Sequence, residues 1–194
     1  MLILRPLHVA SNTLYSIAII FHRERRVRRI VSLMHAARES SWSLCCFNIL
    51  MWWGVPFNRP HKIRVVAVDG VSVRASINYS KKNMNHIKGI HACAIATVSE
   101  YVAGLCLLQS FHPKKYRIIM SSLEAAYHYQ AKRKLNAVAE LSPKVVADVQ
   151  TQLEVQESVK HVMVSEVFDV DNNHVATVKT TWQVKPWNKV KLKV

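Results

Sequence analysis

The chain has 194 residues, half of them hydrophobic and a fifth charged, with a net charge of +15. This composition excludes a disordered chain and leaves ample length for a core, while the charge asks for an anionic partner: nucleic acid, a membrane surface or a phosphate-bearing small molecule. Four cysteines (Cys45, Cys46, Cys93 and Cys106) stand in no disulfide or zinc spacing. Reduced, buried thiols in a reducing compartment are expected, with no metal and no cofactor.

The basic excess changes character along the chain. Residues 1–61 carry eight arginines and no lysine, whereas fifteen lysines and four arginines follow from Lys62 onward. The apolar run Leu14–Phe21 is too short to span a bilayer and precedes its arginine cluster, the reverse of a secretory signal. Residues 1–41 are therefore expected to be an N-terminal extension, disordered or acting as an arginine-rich transit peptide. The rest, 42–194, is expected to form one domain, cytoplasmic, or mitochondrial if the leader is used.

Trp42 to Val55 reads as a short apolar helix ended by Gly54 and Pro56, capping one edge of the core. A membrane-surface role for Trp52 and Trp53 is its alternative. Pro56–Pro60 reads as a rigid, extended lead-in. Lys62–Asp69 and Val71–Tyr79 are β-branched runs, and Asp69-Gly70 between them signals a hairpin.

Ala92–Leu108 then becomes apolar on every side, with Gly104 its only glycine and Glu100 its only formal charge. Such a run reads as a helix buried all round, too short and too alanine-rich for a membrane span. A lone carboxylate is costly to bury there unless something pairs with it or uses it.

Tyr116–Tyr129 reads as a long strand bent near Ser121 and Ser122. Leu135–Leu141 is a further strand, reached through a turn at Lys132–Lys134. Pro143 to about Glu154 is a short helix with proline in its first turn. Ser158–Val170 and His174–Lys185 form a second hairpin around Asp171–Asn173. Two strands, one buried helix and four strands fit an α+β architecture in which one antiparallel sheet wraps a long helix.

Asn85-His-Ile-Lys-Gly89-Ile-His91 leading into Glu100 resembles the hotdog-fold superfamily, in particular acyl-CoA thioesterases of the phenylacetate-pathway type, and an uncharacterised branch beside them. That family's pattern is an asparagine, a glycine, then His-Gly-Gly, with an acidic residue nine positions after the histidine. Here His91 precedes Glu100 by nine and follows Asn85 by six. His-Gly-Gly is replaced by His91-Ala92-Cys93, and Gly89 lies one position nearer His91 than in the pattern. The resemblance covers roughly residues 56–187 and implies an acyl-CoA thioesterase with Glu100, His91, Asn85 and Gly89 in its catalytic site.

The chemistry can be argued from the residues. A helix start offers unpaired N–H groups and partial positive charge, which a thioester oxyanion needs. Glu100 can activate water or attack the carbonyl carbon. Nine helical residues put His91 and Glu100 on opposite sides and about 13 Å apart along the axis, so one site needs two chains. The resemblance implies such a site, shared across a homodimer or a tetramer built from it. Lys88, Lys132 and Arg133 are candidates for coenzyme A phosphates, and Ser121 and Ser122 for a polar group opposite Glu100.

Each has a plainer alternative: a core carboxylate for Glu100, a helix cap for His91, a turn residue for Asn85, a strand bend for the serines, a solvated rim for the cations. The rival functions are a non-catalytic acyl-thioester binding or regulatory module, and a nucleic-acid binder. The second lacks an aromatic-basic surface motif, so no specific nucleic-acid partner is expected.

Overall fold

The structure is a computed structural model that describes residues 29–190. Residues 29–36 are helical (α1), followed by α2 (Ser41–Gly54), β1 (Arg64–Val68), β2 (Ser72–Ile77), α3 (Ala92–Ser110) and β3 (Tyr116–Tyr127). The chain continues through β4 (Leu135–Glu140), α4 (Pro143–Val155), β5 (Val159–Asp169) and β6 (His174–Pro186). The six strands form one antiparallel sheet in the order β1-β2-β4-β5-β6-β3. α3 packs against β2, β4, β5, β6 and β3. This is the hotdog fold, with the sheet curled around its central helix.

Local chemistry sets the turns. Asp69 accepts from the backbone N–H groups of Val71 and Ser72, and Gly70 takes φ +96°, which closes the β1–β2 hairpin. Asp169 does the same for β5–β6, accepting at 2.9 Å from the N–H groups of both Asp171 and Asn173. Ser142 caps α4, with Pro143 in its first turn. Pro56–Asn58 is a turn of 3-10 helix rather than the extended lead-in expected, because the Asn58 and Arg59 N–H groups bond back to Val55 and Pro56.

α3 is covered on several sides, with Val98, Val102, Ala103, Cys106 and Leu107 fully buried. At 19 residues it is longer than its sequence run and apolar enough to cross a membrane by length and composition. Burial inside the sheet accounts for that surface, rather than a length too short to span. The Ser99 hydroxyl donates to Ile95 O, and Ser165 of β5 donates to Ser99 O at 2.9 Å, so these buried polar groups are satisfied.

α2 adds Phe47 and Met51 to the core. Its Asn48 amide donates to Val65 O at 2.9 Å and accepts from Val65 N–H at 2.8 Å, mimicking a neighbouring strand on the free edge of β1. The extension expected over 1–41 lies outside the described residues as far as 28. Beyond that, Met34 and Ala37 are buried in the core, so packed structure begins ahead of residue 42. Among the cysteines only Cys106 is buried; Cys45 and Cys93 are exposed, contrary to the expectation of buried thiols. The Cys106 thiol donates to Ala139 O at 3.0 Å, and burial pushes its pKa up to about 12.

Candidate functional site around Glu100

Glu100 faces a cavity of about 220 Å³ between α2, α3, β3 and β6. Met51 and Val55 form one wall, Gly104 and Leu108 another, and Ile118 and Trp182 close the side toward the sheet. Gly104 lies one helical turn beyond Glu100, and its missing side chain opens the space beside the carboxylate. A Cβ there would stand 3.1 Å from the Trp182 ring and 3.9 Å from Glu100 Oε1. The indole N–H of Trp182 is satisfied by Thr180 Oγ1 at 2.8 Å, which fixes the ring against the glycine.

The carboxylate of Glu100 has no hydrogen-bond or ion-pair partner among the described residues. Desolvation alone acts on it and raises its pKa above the ordinary 4.5. The neighbouring Tyr101 hydroxyl is also pushed up, first by burial and then by the charge of Glu100. A half-buried, unpartnered carboxylate on an apolar wall is no stabilising ion pair, and its ionised form is chemically able to accept a proton.

The other expected residues gather at the opposite end of the helix. His91 is the N-cap of α3, and its ring Nδ1 accepts from Cys93 N–H at 3.1 Å. That bond leaves the proton of a neutral ring on Nε2. His91 N–H in turn donates to Asn83 O at 2.7 Å. Asn85 closes the loop before it, its side-chain oxygen accepting from Ile87 N–H at 3.1 Å and Gly89 N–H at 2.9 Å.

Lys88, not Gly89, takes the left-handed backbone conformation in this loop, with φ +56°. It occupies the position where the family pattern carries glycine, the residue that adopts this conformation at least cost. Gly89 sits close to the following loop, where a Cβ would come within 3.3 Å of Gln130 Cγ and 3.5 Å of Ala131 O, contacts that a small shift of the Gln130 side chain relieves.

Asn85, Lys88, Gly89 and His91 therefore share one loop, about 13 Å along the helix from Glu100. The Ser121 hydroxyl donates to Thr181 O at 3.1 Å, within a bulge that interrupts the β3–β6 register between Met120 and Ser122. Neither Ser121 nor Ser122 lines the Glu100 cavity. Arg133 holds Asp171 in a two-point ion pair at 3.0 and 3.1 Å, while Lys132 and Lys88 are exposed.

Met51, Val55, Gly104 and Trp182 were not among the expected site residues. Gly104 had a signal: it is the helix's only glycine and stands four residues after its only charge. Trp182 had none, because only the curl of the sheet brings β6 to that place.

The family model of the domain of unknown function DUF4442 matches residues 45–184. No curated protein matches the chain by sequence. Among solved structures, a Pseudomonas aeruginosa protein of unknown function, described as a probable thioesterase, gives a TM-score of 0.68 at 19% identity, over 72% of this chain and 93% of its own. A Staphylococcus aureus thioesterase gives 0.57 at 15%, over 68% and 100%. A Haemophilus influenzae thioesterase gives 0.60 at 12%, over 77% and 95%. At these identities the likeness is one of fold.

Proposed function

This chain belongs to the DUF4442 family, and from that premise and the Glu100 cavity we propose that it is an acyl-CoA thioesterase acting as a homodimer. One observation carries the reading: the unpartnered Glu100 carboxylate, its pKa raised by desolvation, on the wall of an apolar cavity. The acyl group occupies the cavity, and Glu100 takes a proton from the water that attacks the thioester carbonyl. The resulting oxyanion needs donors, and the C–S bond then breaks to release the thiolate, which takes up the proton that Glu100 removed from water.

Those donors come from a second copy. At the first turn of α3 the Ala92 N–H has no carbonyl one turn earlier to bond, and the His91 ring caps the same turn. β3 links the two ends of the site. Its Ile118 lines the cavity, and its Tyr127 hydroxyl donates to Ala92 O at 3.0 Å at the helix start. β3 is also an edge strand, with Ile119, Met120 and Leu123 exposed. Antiparallel pairing of two β3 edges, centred near Ser122 and Leu123, sets Ile118 of each copy opposite Tyr127 of the other. One copy's helix start is thereby brought toward the other's Glu100. Lys88, Lys132 and the solvent side of Arg133 lie at that helix start, where they suit coenzyme A phosphates.

A second reading, an acyl-thioester binding module without turnover, is favoured by Cys93. Its N–H, which would serve an oxyanion, is occupied by His91. The deciding experiment is a hydrolysis screen of short, medium, long and aromatic acyl-CoAs, comparing the full chain with Glu100→Gln. Turnover should fall by at least about a hundredfold while acyl-CoA binding persists. Unchanged turnover in a folded Glu100→Gln dimer would overturn the proposal, and binding without turnover in the wild type would establish the module reading.

A further inference from the structure

α2 is apolar on two faces, and only one of them is packed. At about 100° per residue, Trp42, Ile49 and Trp53 fall within about 40° of one another, opposite Phe47 and Met51. Phe47 and Met51 are buried in the core, whereas Trp42 is 76%, Trp53 68% and Ile49 57% exposed. Trp52 adds to the same side, and Phe57, in the turn that follows, is 68% exposed. A helix that is apolar all round is normally buried all round. This one presents a row of large side chains, three of them tryptophans, to its surroundings.

The charges that follow the row along the chain are basic, although Glu39 lies just ahead of it. No acidic residue stands between Ser40 and Val68, while Arg59, Lys62 and Arg64 do. Arg59 is built into the row: its guanidinium lies 4.9 Å from the centre of the Trp53 ring and donates to Trp53 O at 3.1 Å. We infer that the outward face of α2 is a docking surface for an anionic lipid bilayer, with Trp42, Ile49, Trp53 and Phe57 seated in the headgroup region and the three cations on lipid phosphates or carboxylates.

Tryptophan suits that depth because its ring is apolar and its N–H polar. A cluster of arginine and lysine without acids is attracted to the negative surface of such a leaflet. A second copy of this chain fits the same face poorly. Two-fold contact would set Arg59, Lys62 and Arg64 against the same cations of the partner. Docking is independent of whether Glu100 is catalytic, although the inner face of the same helix supplies Met51 and Val55 to the cavity.

The test is co-sedimentation of the full chain with vesicles of phosphatidylcholine containing about a third phosphatidylserine, against phosphatidylcholine alone. The wild type should pellet with the anionic vesicles and be released as salt is raised. Trp42→Ser combined with Trp53→Ser and Phe57→Ser should bind at least about tenfold more weakly. Its melting temperature and sedimentation as a dimer should not change, because these side chains are exposed. Lys62→Glu with Arg64→Glu should weaken anionic binding likewise, by a route that leaves the aromatic row intact. Vesicle binding by the aromatic variant equal to wild type, no binding by the wild type, or loss of the dimer in the aromatic variant would each overturn the inference.

Discussion

At Glu100 the physics acts in one direction: the apolar wall removes water from a carboxylate that no hydrogen bond or cation repays. The pKa in the folded chain is raised, so the native state holds this proton better than the unfolded chain does. Its contribution to stability is full below the unfolded pKa and is lost as pH rises through the folded one. Glu100→Gln removes that loss. Melting curves of variant and wild type should therefore diverge in the variant's favour as pH rises from about 4 to about 7. In the proposed reaction only the ionised form accepts a proton. The acid limb of kcat/KM should then fall at a pH above the ordinary glutamate value of 4.5. A limb at or below that value, with parallel melting curves, would place Glu100 in water rather than against an apolar wall.

Among the elements, α2 does two jobs at once, and Asn48 shows how. Its side chain closes the exposed edge of β1 with two hydrogen bonds to Val65. Asn48→Ala should cost about 1–3 kcal/mol in urea unfolding, because it leaves both backbone groups of Val65 without a partner. It should also raise light scattering on heating, since a bare strand edge invites pairing. α1 tests where the folded unit begins. Removing residues 1–28 leaves Met34 and Ala37 in place, so the thermal midpoint should stay close to that of the full chain. Removing residues 1–41 strips both from the core and should lower it clearly, with about 2–5 kcal/mol expected for a buried methionine alone. Equal midpoints for the two truncations would show that α1 contributes nothing.

For the whole molecule, the question is what covers β3. The strand offers a twelve-residue edge with Ile119, Met120 and Leu123 exposed, long and apolar enough to bind another chain. Sedimentation at micromolar concentration should show a dimer. Met120→Lys with Leu123→Lys should give monomers with unchanged far-ultraviolet circular dichroism, since charge on the edge opposes pairing without touching the wrapped helix. Those monomers should also lose hydrolysis, because each keeps Glu100 but lacks the second copy's helix start. Monomers that hydrolyse acyl-CoA at the wild-type rate would remove the shared site and leave the fold as it is.

Much of this architecture was legible in local pattern. Strand hairpins at Asp69-Gly70 and around Asp171–Asn173, the helix begun by Pro143 and the bend at Ser121 all rest on short-range backbone preferences, which act wherever the chain goes. Burial of α3 was readable only in part: ten of its nineteen residues are buried, but a stripe through Cys93, Thr97, Glu100, Gly104 and Leu108 stays partly open. The cavity was not legible. β3 follows α3 in sequence yet pairs with β6 at the far edge of the sheet, and only that long-range pairing brings Ile118 and Trp182 to Glu100. The spacing of His91 and Glu100 belongs to the helix itself and follows from its rise per residue. Which face of α2 would be packed and which left open could not be read from its sequence, because tryptophan, isoleucine, phenylalanine and methionine are all apolar. The decision fell to the packing of α2 on the sheet, which buries Phe47 and Met51 and leaves Trp42 and Trp53 exposed.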